Sequence, residues 1–296
     1  MIIDLSQNIT KLFILGAGAS ADYGLPMWDE LIELLKAKIN SNKEMPFIHK
    51  DKIFSWLEKT GKGKQYKTID ECIYYESDSQ THHLDGLDIE NEFFQIMKII
   101  FEEKYRVSND GWIQKLNYKL LENENLRHLI GFISYNYDDI LENNLFDYDK
   151  ILTQKQRQTE HREAINSFSN FQFRAHYPHG NFYPKTSAHL IKEIQTNKTG
   201  VHRLVDAITC YNCKANVVRK ASRHSEVSLY ILGLGGGLKE NLLKLDIRFP
   251  IHNIIVTISD PKKKDEVTKF LADKFKKQPE EILVFESCKE LIEGSF

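Results

Sequence analysis

The chain has 296 residues, 41% hydrophobic and 28% charged, which suits one large domain or a domain with an insertion and leaves too little length for two full modules. Lys and Arg number 40 against 42 Asp and Glu, and a net charge of -2 argues against direct nucleic-acid binding. Only four cysteines occur, Cys72, Cys210, Cys213 and Cys288, which excludes a disulfide scaffold and fits a reducing compartment.

The opening stretch MIIDLSQNITKLFILGAG has neither a basic lead nor a long apolar run, so it does not read as a secretion signal. No stretch approaches the roughly 20 apolar residues that span a bilayer. A soluble, cytoplasmic protein without membrane contact is expected.

Lys11 to Leu15 is a short apolar run that stops at Gly16, the pattern of a buried strand in a parallel sheet. From Trp28 to Ile39 the apolar residues recur at helical spacing. Residues 40 to 85 are less periodic, with GKGK at 61 to 64 marking a loop, and read as an insertion. Helical blocks follow at Ile89 to Tyr105 and Trp112 to Leu121, then a strand at Leu129 to Ser134. After a second insertion at 184 to 222, strands are expected at Ser228 to Leu232, Asn253 to Ile258 and Glu281 to Phe285. Helices are expected between them at Leu238 to Leu245 and Pro261 to Phe275, with Pro261 suited to a first helical position. Strands alternating with helices predict βαβ units and a parallel sheet. Ligands of such sheets bind beyond the carboxyl ends of the strands, so the loops there carry the functional reading.

Four such loops stand out. Gly16-Ala17-Gly18-Ala19-Ser20 follows the first strand, and glycines there allow a tight turn and close backbone approach to a pyrophosphate. A turn with no ligand accounts for it equally well on local evidence. A hydride-transfer fingerprint fits badly, because position 21 is Ala and Gly24 comes too late. The second loop, Tyr135-Asn136-Tyr137-Asp138-Asp139, precedes a helix near Ile140 that Asp138 is suited to cap. The third holds His176 and His179, the latter before Gly180; an imidazole with an unperturbed pKa of about 6.5 can take a proton near neutral pH. The fourth is Gly233-Leu234-Gly235-Gly236-Gly237, which also reads as a flexible strand-to-helix turn.

In order and spacing these motifs resemble the SIR2 (sirtuin-like) superfamily: GAGAS at 16 to 20 with Gly24-Leu25-Pro26, SYNYDDILE from Ser134 to Glu142, His179-Gly180 and the glycine cluster from Gly233. The N-Y-D form is closest to its bacterial antiphage-defence branch. The resemblance implies an α/β fold, a Rossmann-like parallel sheet with helices on both faces and helical insertions, as one domain over 9–296. It makes Asn136 the catalytic asparagine and His179 the general base, Asp138 the nicotinamide contact, and Gly16, Ala17, Gly18, Ser20, Pro26, Gly233 and Gly235 the remaining NAD-binding residues. Cleaving the nicotinamide–ribose bond develops positive charge on the ribose. A neutral amide there orients hydroxyls or water, and a carboxylate can accept a bond from the nicotinamide carboxamide.

Deacylating sirtuins carry two Cys-x-x-Cys pairs; this chain has one, Cys210 to Cys213, and no metal is expected. The resemblance therefore implies an NAD glycohydrolase acting in abortive infection, with NAD as substrate. Its control is expected from a sensor or activator encoded nearby, of nucleotide-sensing or ATPase type, or from homo-oligomer assembly. The alternatives are an NAD-dependent deacylase or ADP-ribosyltransferase, and a catalytically silent subunit that binds NAD or ADP-ribose.

Overall fold

The computed structural model describes residues 2–5, 9–41, 48–77, 85–106, 108–138, 140–145, 174–176, 216–220 and 226–295. Its centre is a parallel sheet built on β2 (Lys11–Leu15), β3 (Ile130–Ser134), β6 (Val227–Leu232) and β8 (Ile251–Thr257). The edges are β4 (Arg174–His176), beside β3, and β9 (Ile282–Phe285), beside β8. The spatial order is β4-β3-β2-β6-β8-β9, so the chain travels outward in one direction from β2 and in the other from β6. Strands 11–15, 130–134 and 227–232 are apolar along almost their whole length because both faces are covered.

The side chains of each strand alternate between those two faces. On one face Leu12, Ile14, Ile133, Leu229, Ile231, Ile254 and Val256 pack under α7 (Gly236–Lys244) and α8 (Lys264–Phe275) through Leu238, Leu242, Val267 and Leu271. On the other, Phe13, Leu15, Phe132, Tyr230, Leu232 and Ile255 meet α5 (Trp112–Glu122), α6 (Ile140–Leu145) and α9 (Cys288–Ser295). Phe13 sits at the middle of that second core, stacked at 4.7 Å on Tyr230, 5.1 Å on Phe132 and 6.4 Å on Trp112 between ring centroids. The architecture is α/β, with helices on both faces of a parallel sheet.

The segment expected as an insertion at 40–85 contributes α2 (Lys50–Lys59) and α3 (Ile69–Ser77). Together with α1 (Trp28–Ser41) and α4 (Asp85–Lys104) they enclose a third core of Leu31, Leu35, Ile53, Trp56, Cys72, Phe93 and Met97. Of the second expected insertion, 184–222, the described part is a strand: β5 (Asn216–Lys220) lies between β1 (Ile2–Leu5) and β7 (Leu245–Ile247) in a separate three-stranded parallel sheet. A helical or irregular reading of 216–220 is thereby corrected. The pairing that makes it a strand is with residues 2–5 and 245–247, far away in sequence. Among the described residues no helix is long and apolar enough to cross a membrane.

Candidate functional site

At their carboxyl ends the three innermost strands continue into loops that stay tied together. Gly16 N–H donates to Leu232 O at 2.9 Å and Tyr135 N–H to Leu15 O at 2.9 Å, so the loops after β2, β3 and β6 leave the sheet side by side. The first becomes a 3-10 helix, Ala17–Tyr23, closed by Gly24 at φ 78°. Trp112 Nε1 holds it by donating to Ala19 O at 2.7 Å. Tyr23 is buried, donating to Gln114 Oε1 at 2.8 Å and accepting from Ile113 N–H at 3.1 Å, and burial pushes its phenol above the usual tyrosine range. Ala17 and Gly24 are exposed, whereas Pro26 is buried where the chain turns into α1.

The glycines of the first and fourth loops pack against each other. A Cβ on Gly16 would lie 2.7 Å from Gly233 O, and one on Gly18 2.8 Å from Gly233 Cα. Gly233 itself sits at φ 70°, where a Cβ would be 2.1 Å from Ala19 N. This turn-on-turn contact alone accounts for glycine at 16, 18 and 233, whatever binds nearby. Gly235 differs: nothing among the described residues lies within 4 Å of its Cβ position, and it is the N-cap of α7 with no side-chain cap.

Between those turns and β3 lies a buried polar cluster. Asn136 Nδ2 donates to Gly16 O and to Ser20 Oγ, each at 3.0 Å. Ser20 Oγ–H donates onward to Asp138 Oδ2 at 2.7 Å. Asp138 Oδ1 accepts from Ile140 N–H at 3.2 Å and so caps α6, as its position before that helix predicts. Asn136, Asp138 and Ser20 are 6%, 8% and 4% exposed. The amide of Asn136 cannot be turned around, since its oxygen would then face the Gly16 carbonyl. Both amide hydrogens are thus spent on the protein, while Oδ1 is buried and has no hydrogen-bond partner among the described residues. A buried acceptor left unmet is uncommon and costs about 1–3 kcal/mol.

Of the expected site residues, Asn136, Asp138, Ser20, Gly16, Gly18 and Gly233 are therefore brought to one place at the β2–β6 fork. His179 lies outside the described residues. His176 ends β4 in register with Ile133, and only its backbone is described. Cys210 and Cys213 also lie outside the described residues; Cys72 and Cys288 are buried in separate cores, and among the described residues no three His, Cys, Asp or Glu are grouped to hold a metal. A surface cleft of about 390 Å³ lined by Leu243, Phe249, Lys274 and Lys276 opens at the amino-terminal side of β8, away from this cluster.

Sequence reasoning missed one residue that shapes the site. Thr257, at the carboxyl end of β8, is 5% exposed and accepts the Gly233 N–H at 2.9 Å. Its place at a strand end on the same side as the loops after β2, β3 and β6 was the available signal. Cys288 Sγ lies 3.7 Å from the same hydroxyl, and burial pushes its thiol up to about 12. No protein-family model matches the chain, and no curated protein is significantly similar to it.

Proposed function

We propose that this chain is a SIR2-like NAD glycohydrolase with a Rossmann-like sheet, cutting NAD into nicotinamide and ADP-ribose. The observation that carries the reading is the Asn136 carboxamide: fixed by Gly16 and Ser20 at the fork of the sheet, with Oδ1 buried and unmet among the described residues. The order β4-β3-β2-β6-β8-β9 supports it, being the order of doubly wound sheets that bind dinucleotides where the strand order reverses, here between β2 and β6.

In the proposed reaction the bond from ribose C1′ to the nicotinamide ring nitrogen breaks, and its electron pair leaves with nicotinamide. Water oxygen bonds to C1′, and the water proton passes to His179, the proposed base. Asn136 Oδ1 accepts a hydrogen bond from that water or from a ribose hydroxyl, which orients it without adding charge beside the developing cation. Asp138, whose carboxylate accepts from Ser20 and from Ile140 N–H, is the proposed contact for the nicotinamide carboxamide. Gly235, at the open start of α7, gives the backbone room to meet the adenosine side of NAD. An unregulated NADase would exhaust its own host. Control by a neighbouring sensor or activator, or by self-assembly, in antiphage defence is part of the proposal.

The test is nicotinamide release from NAD by the purified chain, with and without its genomic neighbour and with and without acylated peptide. Asn136→Ala and His179→Ala should each lower turnover at least about a hundredfold with the melting temperature still measurable. Release that requires the peptide would point to a deacylase instead, and unchanged turnover in both variants would overturn the site assignment.

A further inference from the structure

Thr257 belongs to none of the motifs, yet it joins the fourth loop to the strand beyond it. Gly233 leaves β6 in a left-handed conformation, φ 70°, and its N–H donates to Thr257 Oγ across the β6–β8 boundary. Gly16 and Gly18 pack on that same glycine, within 2.7 and 2.8 Å of where their Cβ atoms would stand. The hydroxyl therefore sets where Gly233 stands, and Gly233 sets the separation of the two turns across the fork. Asn136 has a second anchor besides Gly16 O, the Ser20 hydroxyl at 3.0 Å, and Gly16 O is itself held by Ala19 N–H at 2.9 Å. Loss of the Thr257 bond frees the Gly233 turn first, while the Ser20 bond still holds the amide.

We propose that Thr257 is a positioning residue for dinucleotide binding, acting through the Gly233 turn on substrate affinity and not on bond cleavage. This rests on the NAD reading above. Thr257→Val keeps the β-branched shape and removes the acceptor; Thr257→Ser keeps the acceptor and removes the methyl group.

The experiment uses the full chain in the preparation that serves the NAD assay. It measures ADP-ribose affinity by calorimetry, KM and kcat for NAD, melting temperature, and hydrogen exchange at the Gly233 amide. For Thr257→Val we expect ADP-ribose affinity weakened and KM raised about tenfold, with kcat within about twofold and faster exchange at Gly233. Thr257→Ser should stay within about twofold of the parent in each. Equal affinity and equal Gly233 protection in the Val variant would overturn the proposal. So would a defect shared by the Ser variant, which would assign the effect to packing, or a fall in kcat at constant KM. If the parent chain itself neither binds ADP-ribose nor consumes NAD, the NAD reading fails and takes this proposal with it; a parent that does both while the Val variant matches it defeats this proposal alone.

Discussion

Asn136 has one atom to spare. Its donors are used by Gly16 and Ser20, and its buried Oδ1 has no hydrogen-bond partner among the described residues. The glycines around it divide by a different test. Gly233→Ala would force a Cβ to 2.1 Å from Ala19 N at a left-handed φ, so we expect a loss of about 3 kcal/mol or more in urea unfolding. Gly235→Ala, at φ -101° with open space around it, should stay within about 1 kcal/mol of the parent. Asn136, Asp138 and Ser20 were legible in the sequence because each sits in a local motif beside a strand end. The contact of Gly16 and Gly18 with Gly233 was not, since it joins residues more than two hundred positions apart and is set by which strands become neighbours. Thr257 was hidden for the same reason: its hydroxyl acquires a task only when β6 lies beside β8.

At the scale of elements, the apolar runs that became β2, β3 and β6 could be read directly, because strands covered on both faces carry almost no polar positions. The strands β8 and β9 were legible from their apolar cores, residues 254–256 and Ile282–Phe285. The short strands β1, β5 and β7 could not, being three to five residues long and paired only with one another. The helices α2 and α3 were obscured by the lysine-rich loop 61–67 between them and by the polar stretch that surrounds them. The helical layer meets the site through α4 and Tyr137. Its ring lies 5.1 Å from that of Phe94 on α4, so the residue after Asn136 is seated on the helical layer. Phe94→Ala should cost about 3–5 kcal/mol as a buried aromatic truncation. Because it unseats Tyr137, it should also lower NAD turnover in protein that is still folded. Activity equal to the parent below the unfolding transition would detach the helical layer from the site.

Across the molecule, the second face of the sheet is closed at its rim by charge. Asp110, in the loop before α5, pairs with Lys115 at 2.8 Å and with Lys289 of α9, and Lys115 also reaches Glu293 at 3.2 Å. Hydrogen bonds from Lys115 and then Lys289 hold the Asp110 carboxyl down at about 2. A carboxyl depressed in the folded state stabilises above its ordinary value and loses that contribution as pH falls through the folded one. Asp110→Asn should therefore flatten the fall in melting temperature between about pH 4 and pH 2. The group is exposed, so the difference should be small and should shrink further in high salt. A parent and variant with identical acid profiles at low salt would show that the rim pairs contribute nothing.

The two turns at the fork come from stretches more than two hundred residues apart, one complete by residue 24 and the other dependent on Gly233 and on the hydroxyl at 257. During synthesis the early turn emerges from the ribosome long before anything exists for it to rest against. A nascent chain that has not yet released Thr257 lacks the acceptor that fixes the Gly233 amide. The contact between the two turns is therefore completed only late in synthesis, once β8 lies beside β6.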